Sequence, residues 1–165
     1  MKGLVETLLE HFTKEFNEMF KYAIEIGVVS DNTERKIKVG ITNSELMYIH
    51  ENGSPLNNIP ARPVLDMTIK YASEELLNDT IDNCLQIWIN SKKSQEAVEK
   101  ELNKLCLKME KYARQLIYSN DGRLAPNAPS TIAKKGDNHP LFDTGQLARS
   151  ITCRLIDLKL LNKEQ

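Results

Sequence analysis

The sequence of 165 residues contains little cysteine, with only Cys84, Cys106 and Cys153. No two of them form a Cys-x-x-Cys pair, and an odd number argues against a closed disulfide framework. We therefore expect free thiols that behave as small apolar groups. No apolar run reaches the length of a membrane span. The opening residues, MKGLVETLLEHF, place acidic side chains inside the apolar pattern, which is not typical of a signal peptide. These features predict a reducing, aqueous compartment and no membrane partner.

The sequence also lacks an excess of one charge, because its 22 Lys and Arg residues nearly balance its 23 Asp and Glu residues, for a net charge of -1. Nucleic-acid binding needs a concentrated basic surface, so this balance argues against nucleic acid as the main partner. A low net charge gives little repulsion between copies and favours self-association. With 41% hydrophobic residues, the chain can bury a core of its own, and we expect a single domain over 1–165.

The hydrophobic period changes several times and predicts an α+β fold. Apolar residues three and four apart predict an N-terminal helix over 3–20, and alternation predicts a hairpin of strands over 22–29 and 35–42. A short helix over 45–51, capped by Asn43 or Ser44, is expected to stop at Gly53. Another alternating stretch begins at Ile151. We expect a small antiparallel sheet of three or four strands.

Two long helices are predicted to form an antiparallel pair that packs on this sheet. The first begins with Pro63 in its first turn and runs to about residue 90, and the second begins after Ser94, which can cap it. The aromatic and methionine positions on the helices are interpreted as core. Together with the N-terminal helix, these elements complete the predicted architecture.

Residues 120–142 are predicted to form a long polar loop or arm. This stretch contains three prolines and two glycines, and a loop of this length inside a compact domain is uncommon and usually functional or disordered. Basic residues cluster around it, which indicates either a solvated loop or a contact with an acidic neighbouring subunit or with passing DNA. These basic residues are Arg123, Lys134, Lys135, Arg149 and Arg154.

Three short motifs invite an enzymatic interpretation, and each lacks a necessary part. His50-Glu51 would need a second histidine at position 54, which is Ser54, to form a zinc-protease helix. Asp143-Thr144-Gly145 matches the aspartic-protease triplet, but a single copy would need a homodimer to supply the second aspartate. Lys134-Lys135-Gly136 has no phosphate-loop spacing. We therefore expect no catalysis, no metal and no cofactor.

Two separate stretches together resemble small neck proteins of tailed phages. The first is Tyr48-Ile49-His50-Glu51-Asn52-Gly53-Ser54, followed by Ile59-Pro60-Ala61-Arg62-Pro63-Val64-Leu65. The second runs from Leu124-Ala125-Pro126 to Pro140-Leu141-Phe142-Asp143-Thr144-Gly145-Gln146-Leu147 and Ser150-Ile151-Thr152. The match extends over roughly residues 20–157, and it is similar to the tail-completion or head–tail connector family, which overlaps the Mu-like virion-morphogenesis group.

This resemblance implies a structural virion protein, located at the head–tail junction and in the host cytoplasm during assembly. It would complete the tail and join it to the DNA-filled head through a homo-oligomeric ring, a hexamer or dodecamer by analogy. Its other partners would be the adjacent connector and tail-tube or terminator proteins, with DNA passing transiently through the lumen. A tail terminator that caps the tube and a morphogenesis factor absent from the virion remain open as alternatives.

The residues expected at subunit interfaces lie in or beside the two stretches. They are Arg62, Glu51, Arg123, Lys134, Lys135, Phe142, Asp143 and Arg149. The planar guanidinium of Arg62 is expected to bind either Glu51, fixing the start of the long helix, or a neighbouring subunit. Residues 120–142 are expected to be anchored at the Phe142 corner and to become ordered when the adjacent ring binds.

Overall fold

The computed structural model describes residues 3–28 and 40–161, and its helices and strands form an α+β arrangement. The first half contains α1 (Leu4–Met19), β1 (Tyr22–Val28), α2 (Asn43–Asn52), α3 (Val64–Tyr71) and α4 (Leu77–Asn90). The second half contains α5 (Gln95–Ser119), α6 (Pro129–Lys135), α7 (Gln146–Ser150), β2 (Ile151–Asp157) and α8 (Leu158–Leu161).

The sheet within the described residues has two strands, where three or four were predicted. β1 pairs antiparallel with β2, and the register runs from Tyr22 opposite Asp157 to Val28 opposite Ile151. Of the second predicted hairpin strand, residues 35–39 lie outside the described residues, and 40–42 have no regular structure. β1 and β2 lie near opposite ends of the chain, and the alternation within a strand does not indicate which strand pairs with it.

The cap of α2 lies one residue earlier than predicted. Thr42 Oγ1 accepts the Glu45 backbone N–H at 3.2 Å, and the Glu45 carboxylate accepts the Thr42 N–H at 2.8 Å, which is a complete capping box. Asn43 is instead fully buried, and Ser44 Oγ donates to the Val28 carbonyl at 3.1 Å. The predicted stop at Gly53 and the predicted cap of α5 by Ser94 are both confirmed.

The long helix after Pro63 contains one wide turn. Residues Ala72–Leu76 form a π-helical turn between α3 and α4. The buried positions on this helix are four residues apart, or eight across the wide turn, which is longer than the 3.6 residues of an α-helical turn. They are Val64, Thr68, Ala72, Thr80, Cys84 and Trp88.

The core lies along α5, which packs against β2, α3 and α4. Its 25 residues span about 38 Å and contribute to three apolar clusters. One cluster joins its C-terminal half to α7 and the start of β2, and another joins its first turns to Cys84, Trp88 and Met19. Burial raises the pKa of the Cys84 thiol to about 11, as expected for an apolar core position. No helix within 3–28 and 40–161 combines the length and apolar character that a bilayer crossing requires.

Candidate functional site

The connector between α2 and α3 is a tight, closed turn. Gly53 ends α2 with a φ of 72°, and a Cβ there would lie 2.8 Å from the Ala61 nitrogen. Ser54 and Ile59 then form an isolated antiparallel bridge. The Arg62 N–H returns to the His50 carbonyl at 2.5 Å. Because only glycine fits both the backbone angle and the space, this turn fixes where the chain enters the Pro60–Pro63 segment.

Arg62 holds the loop that follows α5. The residue is only 4% exposed, and its Nε and Nη2 donate to the carbonyls of Ala125 and Pro126, each at 2.7 Å. Its Nη1 lies 3.1 Å from His50 Nδ1. The planar fork thus binds two consecutive backbone carbonyls, a geometry that lysine cannot reproduce. Burial lowers the pKa of the Arg62 guanidinium, although arginine keeps its charge at any physiological pH.

Glu51 fixes the start of α3, but without Arg62. Its two carboxylate oxygens accept the backbone N–H groups of Leu65 at 3.0 Å and Asp66 at 2.7 Å. These are orphan donors of the first turn, and Pro63 at the N-cap has no side chain that could accept them. The expected pairing of Arg62 with Glu51 is therefore wrong. Each side chain binds backbone groups, and together they join α2 to the next helix and to the distant loop.

The segment 120–142 is folded onto the domain, where a polar loop or arm was predicted. It contains α6, and its Leu124 and Pro140 are buried. The Asn127 N–H donates to Asn138 Oδ1 at 2.9 Å, which brings the two sides of the segment together. His139 Nε2 lies 2.6 Å from the Ile117 carbonyl of α5. The composition of segment 120–142 did not predict this order, because most of these contacts involve backbone groups, which every residue has.

The corner after this segment is anchored as predicted. Leu147 is buried, and Leu141 and Phe142 pack against the same cluster. The Phe142 ring stacks on His139 with centroids 4.6 Å apart, and meets the edge of Tyr118 at 5.7 Å. Lys135 Nζ donates to the carbonyls of His139 and Phe142.

Four of the predicted interface residues line one cavity. It has a volume of about 370 Å³ and lies between α2, the connector, α6 and the corner. Arg62, Lys135 and Phe142 contribute to its wall, together with Asp143, which is exposed. Asp143 does not cap α7, whose N-terminus has no side-chain cap.

The remaining predicted residues lie outside this cavity. Arg123 pairs with Asp121 at 2.5 Å, and this guanidinium holds the pKa of the Asp121 carboxyl well below its usual range. Arg123 also lies over the Tyr112 ring, which stacks on Tyr71 at 3.9 Å. Arg149 Nη2 donates to the Thr144 carbonyl at 2.9 Å, and Lys134 is exposed.

Helix α1 has an exposed apolar face that was not predicted from the sequence. Its aromatic positions were interpreted as core, yet Phe12 is 65% and Phe16 is 40% exposed. Apolar residues three and four apart occur both on helices that face a core and on helices that face a partner, so this spacing does not distinguish the two.

No family model, curated protein or solved structure matches this chain. Among the described residues, no three His, Cys, Asp or Glu side chains come together as a metal site would require.

Proposed function

We propose that this chain is a structural virion protein of the tailed-phage neck, which completes the tail and joins it to the DNA-filled head by assembling into a ring. By family analogy the ring is a hexamer or a dodecamer. Its neighbours are the adjacent connector proteins and the tail-tube or terminator proteins, and DNA passes through its lumen. The proposal includes no catalytic step and no cofactor.

The observation that carries this proposal is the contact between the two stretches that resemble neck proteins. They are separated by about sixty residues in the chain, yet Arg62 of the first binds the carbonyls of Ala125 and Pro126 in the second. Both stretches line the same cavity. The resemblance rests on the pair, and the pair forms one packed unit, which supports a common structural role.

This unit can present exposed groups to other subunits on a fixed scaffold. Leu56 in the connector turn is 98% exposed and Tyr48 on α2 is 72% exposed. Lys134 and Asp143 are exposed on the side of the second stretch. Apolar and charged side chains held by a rigid corner are suited to docking adjoining rings, because little conformational entropy is lost on binding.

The test is electron microscopy of particles from an infection in which the gene is disrupted, with the wild-type gene supplied in trans as the control. Full heads beside finished, unattached tails are the expected result. Overlong tail tubes would instead make the protein a terminator. Wild-type virions whose mass spectra lack this chain would make it a morphogenesis factor, and attached tails of normal length in its absence would refute the neck role.

A Leu56→Asp variant tests the exposed connector turn, with Leu107→Asp as a matched control. Leu107 is also exposed, at 65%, but lies on α5 away from both stretches. We expect Leu56→Asp to reduce complementation by at least about tenfold without lowering the melting temperature, since neither side chain contributes to the core. Equal complementation by the two variants would remove the connector turn from the assembly surface.

A further inference from the structure

Helix α1 exposes one continuous apolar stripe. Its side chains lie three and four residues apart, on one face of the helix. Their exposed fractions are 69% for Val5, 60% for Leu8, 61% for Leu9, 65% for Phe12 and 40% for Phe16. Isolated exposed apolar residues are ordinary, but a contiguous patch of several hundred Å² marks an interaction site. This stripe therefore has the properties of an interaction surface.

The domain holds α1 by its C-terminal turns. Met19 is buried in the cluster of Trp88 and Cys84, and Glu15 accepts hydrogen bonds from Trp88 Nε1 at 3.3 Å and from Lys93 Nζ at 2.6 Å. Val5, Leu8, Leu9 and Phe12 precede this anchor. The first turns of the helix therefore extend beyond this buried cluster and leave their apolar side chains exposed.

A groove of about 950 Å³ runs beside the stripe. Leu9 and Thr13 of α1 line this groove together with Trp88 of α4. Four lysines line the groove against two glutamates, Glu10 and Glu18, so that its charge is positive. The lysines are Lys14, Lys21, Lys93 and Lys159.

We propose that a second copy of this chain covers the stripe, with the two α1 helices packed antiparallel about a two-fold axis near Phe12. The acidic first half of each helix then lies along the lysines of the other copy's groove. The pairing concerns the free protein in solution and does not depend on the neck role.

Charge complementarity favours a copy over an unrelated helix. α1 carries four glutamates and one lysine, whereas the lining of the groove outside α1 carries three lysines and no acidic side chain. In an antiparallel pair, Glu6 in the first turn of one helix approaches the end of the other where Lys21 and Lys159 lie. The opposed helix dipoles add a favourable term in the same arrangement.

The area of the stripe also fits a self-complementary interface. Its five side chains leave roughly 500 Å² exposed, given the surface of aliphatic and aromatic side chains. A standard interface takes about 800 Å² from each partner, a little over half of it apolar. In a two-fold contact each copy supplies the same patch, so the stripe and its charged flanks meet this requirement from both sides.

The experiment is sedimentation velocity on the full chain over a concentration series, comparing the wild type with Leu8→Glu and Leu107→Glu. The two leucines have similar exposure, 60% and 65%, but only Leu8 belongs to the stripe. The wild type should sediment as twice 18.8 kDa, about 37.6 kDa. Leu8→Glu should raise the dissociation constant at least about 100-fold, because it places a charge in an apolar contact, and Leu107→Glu should leave it unchanged.

A Phe12→Cys variant tests the two-fold axis. Under mild copper-catalysed oxidation by O₂, we expect a disulfide between the two copies, which Leu8→Glu in the same chain abolishes. A monomer at every concentration would overturn the proposal, as would a dimer equally weakened by Leu107→Glu. An oligomer that depends on Leu8 but forms no cross-link at position 12 would also overturn it, since α1 would then contact a different surface. Circular dichroism checks that each variant is folded.

Discussion

Replacing Arg62 with alanine tests the contact that joins the two halves of the candidate site. The substitution removes two short hydrogen bonds to the carbonyls of Ala125 and Pro126 and the contact with His50. A hydrogen bond to a charged group contributes about 1.5–3 kcal/mol, and an acceptor left buried and unpaired adds a penalty of its own. We expect the free energy of unfolding to fall by roughly 3–5 kcal/mol, a large share of the 5–15 kcal/mol typical of a domain.

The assay is urea unfolding followed by circular dichroism, with Arg149→Ala as the control. Arg149 is exposed and donates to a single carbonyl, that of Thr144, so its removal should cost less than about 1 kcal/mol. Arg62→Lys should give an intermediate loss, since one ammonium cannot bind both carbonyls as a planar fork. If Arg62→Ala and Arg149→Ala differ by less than about 1 kcal/mol, Arg62 does not hold the segment and the reasoning is refuted.

Three further predictions concern the neighbouring elements. Glu51→Gln should lower stability by about 1 kcal/mol in urea, because it weakens the cap of α3; an unchanged midpoint would contradict this. Gly53→Ala should lower the free energy of unfolding by at least about 2 kcal/mol more than Gly122→Ala. Both glycines have a positive φ, but only at position 53 would the added Cβ contact backbone atoms. Equal melting temperatures of the two variants would contradict this prediction. The hydrogen bond from Lys93 lowers the pKa of the Glu15 carboxyl. The ionised Glu15 therefore accepts the hydrogen bond from Trp88 above about pH 4.5, and this bond is lost as the pH falls through the lowered pKa. The emission of Trp88 should report this transition, and Glu15→Gln should abolish it; a transition that survives the substitution would show another cause.

The local elements were largely predictable because their signals are local. Ser94 and Gly53 mark a helix start and a helix end through their own side chain or backbone. The strands at Tyr22 and Ile151 follow from alternation. Their pairing with each other was not predictable, because 122 residues or more separate the partners and nothing local records the contact.

The sequence indicated which residues belong to the candidate site, but not which groups those residues bind. The motifs identified Arg62 and Glu51, but the groups they bind are backbone carbonyls and amides, which have no signature in sequence. The order of residues 120–142 escaped notice for the same reason. The solvent exposure of α1 was not predictable, because Phe12 and its apolar neighbours would have the same spacing on a buried helix.

The wide turn at Ala72–Leu76 sets a rule for how the length of this helix can change. A π turn accommodates one residue more than an α turn, so removing one residue there would restore regular α-helical geometry and leave the faces beyond it nearly in place. Removing one residue from the first turn of α4 would instead rotate the rest of that helix by about 100° and turn Cys84 and Trp88 away from α5. Related chains that keep this core should consequently lose a single residue only at Ala72–Leu76, and elsewhere in the helix should change length by whole turns.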